Sequence, residues 1–61
     1  GLIMIVHAMR NEKGQYVSMS GDKTTDWLKA SKFDDSQLEH RLKYTHPQFQ
    51  LVSFEVIEIK K

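Results

Sequence analysis

The sequence predicts a small α+β domain, in which an antiparallel sheet of three to four strands carries one short helix packed on one face. Two segments, at the start and the end of the chain, are rich in apolar β-formers, and a segment between them carries helix-start signals. The expected order is β-β-(β)-α-β. A chain of 61 residues and 7.2 kDa fits a single domain spanning 1–61.

The first predicted strand covers residues 2–9 and is apolar on both sides. Because side chains alternate along a strand, its residues divide into two faces. One face holds Leu2, Met4, Val6 and Ala8, and the other holds Ile3, Ile5, His7 and Met9. A strand with two apolar faces is typical of a central position, covered on both sides by the chain itself or on one side by a partner.

A turn and a second strand are expected next. Residues 11–14 form the turn, with Gly14 suited to positive φ, and residues 15–20 alternate in polarity as a strand does. The first two strands should therefore form a hairpin. Residues 21–24 read as a further turn or loop.

Residues 25–33 leave two alternatives open. Residues 25–30 could begin a helical turn capped by Thr24 or Thr25, and residues 30–33 could be a short third strand.

Residues 34–44 give the clearest local signal, and it predicts a helix over 35–44. Asp34 is placed as the N-cap, with Gln37 completing a capping box. Phe33 and Leu38 occupy the positions of a hydrophobic staple across that cap. Pro47 should end the helix, because proline disfavours helical geometry in the residue before it.

The last predicted strand covers residues 51–59, and its apolar residues change sides. Val52, Phe54 and Val56 share one face, whereas Ile57 and Ile59 fall on the other. The pattern predicts either a bulge that re-aims the strand end or an end covered by another surface.

Charge and composition narrow the functional classes. Nine Lys and Arg balance eight Asp and Glu, with no basic arm, so a dedicated duplex-DNA binder is disfavoured. There is no cysteine, which excludes disulfides and thiolate metal sites. The apolar run at residues 2–6 is too short for a signal peptide or a spanning helix, and a cytoplasmic location with no membrane contact is expected.

No recognised catalytic, metal or cofactor motif appears, so the chain is expected not to be an enzyme. His7, His40 and His46 lack the short convergent spacing of a zinc site. No Gly-x-Ser-x-Gly or phosphate-cradling glycine pattern is present, and the Asp34-Asp35 pair is explained by helix capping.

Three residues are candidates for an interaction surface: Trp27, Ile57 and Ile59. A single Trp is either a core anchor or, if partly exposed, a binding hot spot. The two isoleucines could belong to the core or to a partner surface. In an alternative in which the sheet binds nucleic acid, the candidate contacts also include Arg10, Lys13, Tyr16 and Lys23.

The stability balance of so short a chain also points to association. Apolar burial contributes roughly 90 kcal/mol at about 25 cal/mol/Å². Ordering the chain at about 1.5 kcal/mol per residue costs about the same. A protein partner or a second copy of the chain is therefore expected.

Several short segments resemble a class of small phage and prophage proteins of uncharacterised activity, in which a KGxY hairpin and a TDW…A…F segment precede a short helix. The resemblance covers residues 11–44 and rests on residues 13–17, 25–27, 30–34, 38–39 and 42. It implies a cytoplasmic accessory protein and no particular activity. The hairpin and helix also look like the arm-binding domains of phage integrases, from which the low charge and the last apolar strand depart. The leading expectation is a non-enzymatic protein-binding module.

Overall fold

The computed structural model describes residues 3–59 and shows the predicted α+β class. Its strands are β1 (Ile3–Arg10), β2 (Tyr16–Val17), β3 (Lys23–Thr24) and β4 (Gln50–Ile57). Its one α-helix, α1, spans Leu38–Tyr44, and two 3₁₀ turns span Trp27–Lys29 and Asp35–Gln37. The first predicted strand included Leu2, which lies outside the described residues.

The four strands form one antiparallel sheet in the order β3-β2-β1-β4. The long pair β1–β4 is in register from Ile3 opposite Ile57 to Arg10 opposite Gln50, without interruption. The predicted bulge near Ile57 is therefore wrong, because the ladder is regular to the end of β4. The strand also ends at Ile57 rather than at Ile59.

The β1–β2 turn is built by Asn11 and Gly14. The Asn11 side-chain oxygen accepts hydrogen bonds from the backbone N–H groups of Lys13 and Gln15, at 3.1 and 2.9 Å. Gly14 has a φ of 77°, a conformation that costs a residue without a Cβ very little. The second strand is shorter than the predicted 15–20, because β2 leaves β1 after the single pair Arg10–Tyr16.

Residues 25–33 combine features of both alternatives. A 3₁₀ turn forms at Trp27–Lys29, but Asp26 caps it rather than Thr24 or Thr25, by accepting from the Leu28 N–H at 3.0 Å. Residues 30–33 are not the third strand, which is β3. They instead run extended between β2 and β1, and two isolated bridges join Ala30 to Ser18 and Phe33 to His7.

The helical segment begins as predicted at Asp34 but in a tighter form. The Asp34 carboxylate accepts from the Ser36 N–H at 3.0 Å and from the Ser36 hydroxyl at 2.5 Å, and the first turn is 3₁₀. The Ser36 hydroxyl is thus a second donor to the capping carboxylate, a contact that differs from the predicted reach of the Gln37 side chain back to the Asp34 N–H. The α-helix proper starts at Leu38, and Thr45 leaves it in an extended conformation ahead of Pro47.

The sheet has packed side chains on both faces. On one face, Met9 and Phe33 are buried, and the Arg41 guanidinium of α1 lies 4.7 Å from the centre of the Phe33 ring. On the other face, Ala8 is fully buried. Phe54 lies on the face of Ala8, since its cross-strand partner Val6 is two residues away along β1. Strand β1 is therefore central, as its two apolar faces predicted.

No helix within residues 3–59 is both long and apolar enough to cross a membrane.

The contact between Ser36 and Asp34 gives a test of the cap. The Ser36 side-chain hydrogen bond is the main cause that lowers the pKa of Asp34 below its usual value. Because the folded-state pKa is depressed, the cap stabilises the fold above the unfolded-state pKa, and this contribution is lost as pH falls through the folded-state pKa. We expect Ser36→Ala to raise the Asp34 pKa towards its ordinary value, as measured by carboxyl-carbon NMR titration.

The matched control is Asp34→Asn, which keeps a capping oxygen but cannot titrate. The stability difference between the wild-type protein and this variant should shrink on acidification below about pH 4, near the ordinary Asp pKa. An Asp34 titration that Ser36→Ala leaves unchanged would contradict the assigned cap.

Candidate functional site

The end of the β1–β4 pair carries a cluster of exposed apolar side chains, which we call the apolar tip. Its members are between 42% and 78% exposed. They are Ile3, Met4, Ile5, Val56, Ile57 and Ile59. Ile3 and Ile57 are directly opposite each other in the ladder, as are Met4 and Val56. Because adjacent pairs point to opposite faces, the tip is apolar on both sides of the sheet.

The tip is exposed to solvent because only two of the described strands, β1 and β4, extend to it. Strand β2 leaves β1 at Arg10, and the bridge from Phe33 meets β1 at His7. Within the described residues, β1 from Ile3 to Val6 therefore pairs with β4 alone. A cluster of large apolar groups on such a projection is typical of an interaction surface.

Two of the three candidate interaction residues lie at this tip. Ile57 is 58% exposed and Ile59 is 78% exposed, so neither belongs to the core. Of the two alternatives that the sequence left for them, the structure keeps only the surface position.

The third candidate, Trp27, lies elsewhere and is half-buried. Its ring is 4.4 Å from that of Phe54 and 5.6 Å from that of Tyr16, centre to centre. The Lys32 ammonium lies 4.9 Å from the centre of the same ring. Trp27 therefore anchors the aromatic packing over β4 and keeps part of its surface in solvent.

The alternative nucleic-acid candidates fall into two groups. The Arg10 guanidinium lies 5.9 Å from the centre of the Tyr16 ring, next to Trp27. Lys13 and Lys23 instead line a shallow open hollow beside the first turn, together with Glu12. Because Glu12 lies beside the two lysines and Arg10 lies in the other group, the positive electrostatic potential that would attract a phosphate backbone is weakened.

A hydrogen-bonded chain links Ser53, His7 and Asp35. His7 is buried, with Nδ1 at 2.7 Å from the Ser53 hydroxyl and Nε2 at 2.5 Å from a carboxylate oxygen of Asp35. A carboxylate only accepts, so Nε2 donates to Asp35, and Nδ1 of a neutral imidazole then accepts from Ser53.

This chain differs from a catalytic triad in ways that favour a structural role. The nitrogens are exchanged relative to the serine-protease arrangement, in which serine bonds Nε2. Ser53 lies on a regular strand directly opposite His7, and the Asp35 side chain is 80% exposed. None of the three residues lines the hollow beside the first turn that holds Lys13 and Lys23. The contacts do account for both nitrogens of a buried ring.

The other histidines take part in local contacts. The His40 ring lies 4.8 Å from that of Tyr44 along α1, and His46 Nδ1 accepts from the Gln48 N–H at 3.2 Å. Across residues 3–59, no three His, Asp or Glu side chains are arranged to hold a metal ion.

Sequence reasoning missed most of the tip and the whole His7 contact set. The apolar pattern places Ile3, Met4 and Ile5 on a covered strand and gives no sign of where the cover stops. Ser53 could have been found, because it is the one hydroxyl that interrupts the apolar residues of β4. Asp35 could not, since it joins His7 only through the fold.

Comparison of the chain with protein families, with curated proteins and with solved structures finds no match.

The His7–Ser53 contact predicts a measurable energetic coupling. Ser53→Ala removes the partner of a buried nitrogen, which costs about 1–3 kcal/mol. In a His7→Phe background that nitrogen is gone, so the same Ser53→Ala change should cost little. Urea unfolding of the four proteins should give a coupling of about 1–3 kcal/mol. Additive effects would show that the hydrogen bond does not contribute to folding.

Proposed function

We propose that this chain is a non-enzymatic binding module that acts through protein–protein contacts, with the apolar tip as its contact surface. The observation that carries the proposal is the pairing of Ile3 with Ile57 and of Met4 with Val56 at a bare strand end. Covering such side chains is worth about 25 cal/mol per Å² of apolar surface. The preferred partner is a protein surface that is itself apolar.

The shape of the tip supports this function. The ladder holds the apolar side chains in fixed positions on two faces, so binding orders few additional groups. Glu55 lies opposite Ile5 in the ladder and Glu58 lies between Ile57 and Ile59, so the tip also carries charged groups of the kind found beside apolar interface centres. The proposal includes the cytoplasmic, phage-type accessory role that the sequence resemblance implies.

Replacing the central tip pair should abolish binding without unfolding the protein. Ile3→Thr/Ile57→Thr keeps β-branched residues in the ladder and removes apolar contact area. The control, Met19→Thr/Leu28→Thr, changes two residues that are 85% and 83% exposed and lie outside the tip. We expect both variants to change the free energy of unfolding by less than about 1 kcal/mol.

The first measurement is the amount of protein from a host lysate that is retained on the immobilised wild-type chain, tip variant and control variant. The second is sedimentation of the same three proteins, which detects self-association. Retention or self-association that the control preserves and the tip variant loses at least tenfold would support the proposal. Equal behaviour of all three proteins would contradict it.

A second candidate function is nucleic-acid binding, and the grouping of Arg10, Tyr16 and Trp27 on one face favours it. Exposed parts of the aromatic rings could stack on bases while Arg10 and Lys32 meet phosphates. This function predicts a gel shift with single- or double-stranded probes whose affinity falls steeply with salt. Arg10→Ala should weaken that shift several-fold, with Lys29→Ala as the control. The lack of any shift at low salt would reject it.

A further inference from the structure

Among the described residues, strand β4 has a free outer edge, and the polarity of its residues favours pairing with one particular kind of strand. Strand β4 is at the edge of the sheet, so its outward backbone groups have no strand partner in the described part of the chain. Such an edge pairs readily with another strand. Which strand fits best depends on the side chains that would come to lie opposite one another.

The polarity of residues 49–59 is symmetrical about Phe54. Moving outward from Phe54, both directions meet a polar residue, two apolar residues, a polar residue and an apolar residue. The outward pairs are Ser53 with Glu55, Val52 with Val56, Leu51 with Ile57, Gln50 with Glu58 and Phe49 with Ile59. A sequence of this kind is complementary to itself when two copies run antiparallel.

From this symmetry we propose that β4 pairs antiparallel with β4 of a second copy of the chain, with Phe54 at the two-fold axis, so that the second copy contacts the β4 side of the apolar tip, Val56, Ile57 and Ile59. This inference rests on the proposed function and names its partner. Each apolar residue of one strand then lies opposite an apolar residue of the other. The two sheets become one continuous antiparallel sheet with β4 of each copy at its centre.

Neighbouring registers fit less well. A two-fold axis perpendicular to the sheet keeps each side chain on its own face, so the axis must pass through a residue that lies opposite its own copy. Moving the axis to the next residue shifts one strand by two residues relative to the other. Centring on Glu55 brings that carboxylate directly opposite its own copy, which is destabilising. Centring on Ser53 brings Glu55 opposite Leu51. Only the Phe54 centre avoids both like-charge and polar–apolar pairs.

The pairing also places each tip beside the body of the other copy. Ile57 at the tip lies opposite Leu51 of the second copy, and Ile59 lies opposite Phe49, near the end of the strand away from the tip. Pairing of a single strand buries less area than the roughly 800 Å² per partner of a standard stable interface. We therefore expect a dissociation constant in the micromolar range.

Cysteine pairs test the register, because the chain has no cysteine of its own. Leu51→Cys/Ile57→Cys places the two thiols opposite each other between copies, within the span of a disulfide. Within one chain the same positions are about 20 Å apart, given about 3.3 Å per strand residue. We expect mild oxidation to yield a covalent dimer from the double variant and at least tenfold less from either single variant.

A charge pair at Gln50 provides the second measurement. In the proposed register, Gln50→Lys lies opposite Glu58 of the other copy and Gln50→Glu brings two carboxylates together. Two such pairs per dimer should tighten the dissociation constant about threefold to tenfold for Gln50→Lys and weaken it by a similar factor for Gln50→Glu. Within its own chain Gln50 lies opposite Arg10, so the effects on monomer stability should have the opposite sign.

Sedimentation from micromolar to millimolar concentration measures the dimer dissociation constants of the wild type, Gln50→Lys and Gln50→Glu. A dimer that follows these two directions, with the double-cysteine cross-link, supports the inference. A dimer whose affinity ignores both Gln50 variants overturns the register. A strict monomer whose tip still retains another protein overturns the self-pairing and leaves the proposed function intact, and a monomer that retains nothing overturns both.

Discussion

The fold of residues 3–59 is organised around the uninterrupted β1–β4 ladder. This ladder joins the first and last strands, which are far apart in sequence, and it is the only long strand pair in residues 3–59. The entropy lost in closing so long a loop is recovered only when the whole ladder forms. Strand β2 and the Phe33 bridge lie beside β1, and β3 pairs with β2. Trp27 packs against Phe54 on one face, and α1 lies on the other face with Arg41 against Phe33.

The ladder also sets the position of the candidate site. Because the strands between β1 and β4 in sequence are short, they cover one end of the pair and leave the other end as a projection. The same alternation that buries Met9 on one face and Ala8 on the other exposes Ile3 and Met4 where the cover stops. The core and the apolar tip are thus two ends of one strand pair, distinguished by what packs above them.

Local signals predicted the parts of the fold that local energies control. The Asn11–Gly14 turn and the start of the helical segment at Asp34 follow from backbone conformation and capping within a few residues. Asp34 caps the segment as predicted, but the first turn is 3₁₀ and the carboxylate accepts from both the N–H and the hydroxyl of Ser36. The prediction of a third strand at residues 30–33 is wrong, since the third strand is Lys23–Thr24. Residues 30–33 are extended, but single bridges to Ser18 and His7 hold them instead of a ladder.

The amino-acid pattern alone predicts the α+β class, the central position of β1, the turn at Gly14 and the polarity pattern of β4. These depend on periodicity and on conformational preferences that act over a few residues. How far the cover over β1 extends, which isoleucines are exposed, and the meeting of Asp35 and Ser53 on the two sides of His7 are visible only in the folded chain. Those features depend on contacts between residues distant in sequence, and each is set by where the chain returns to the sheet.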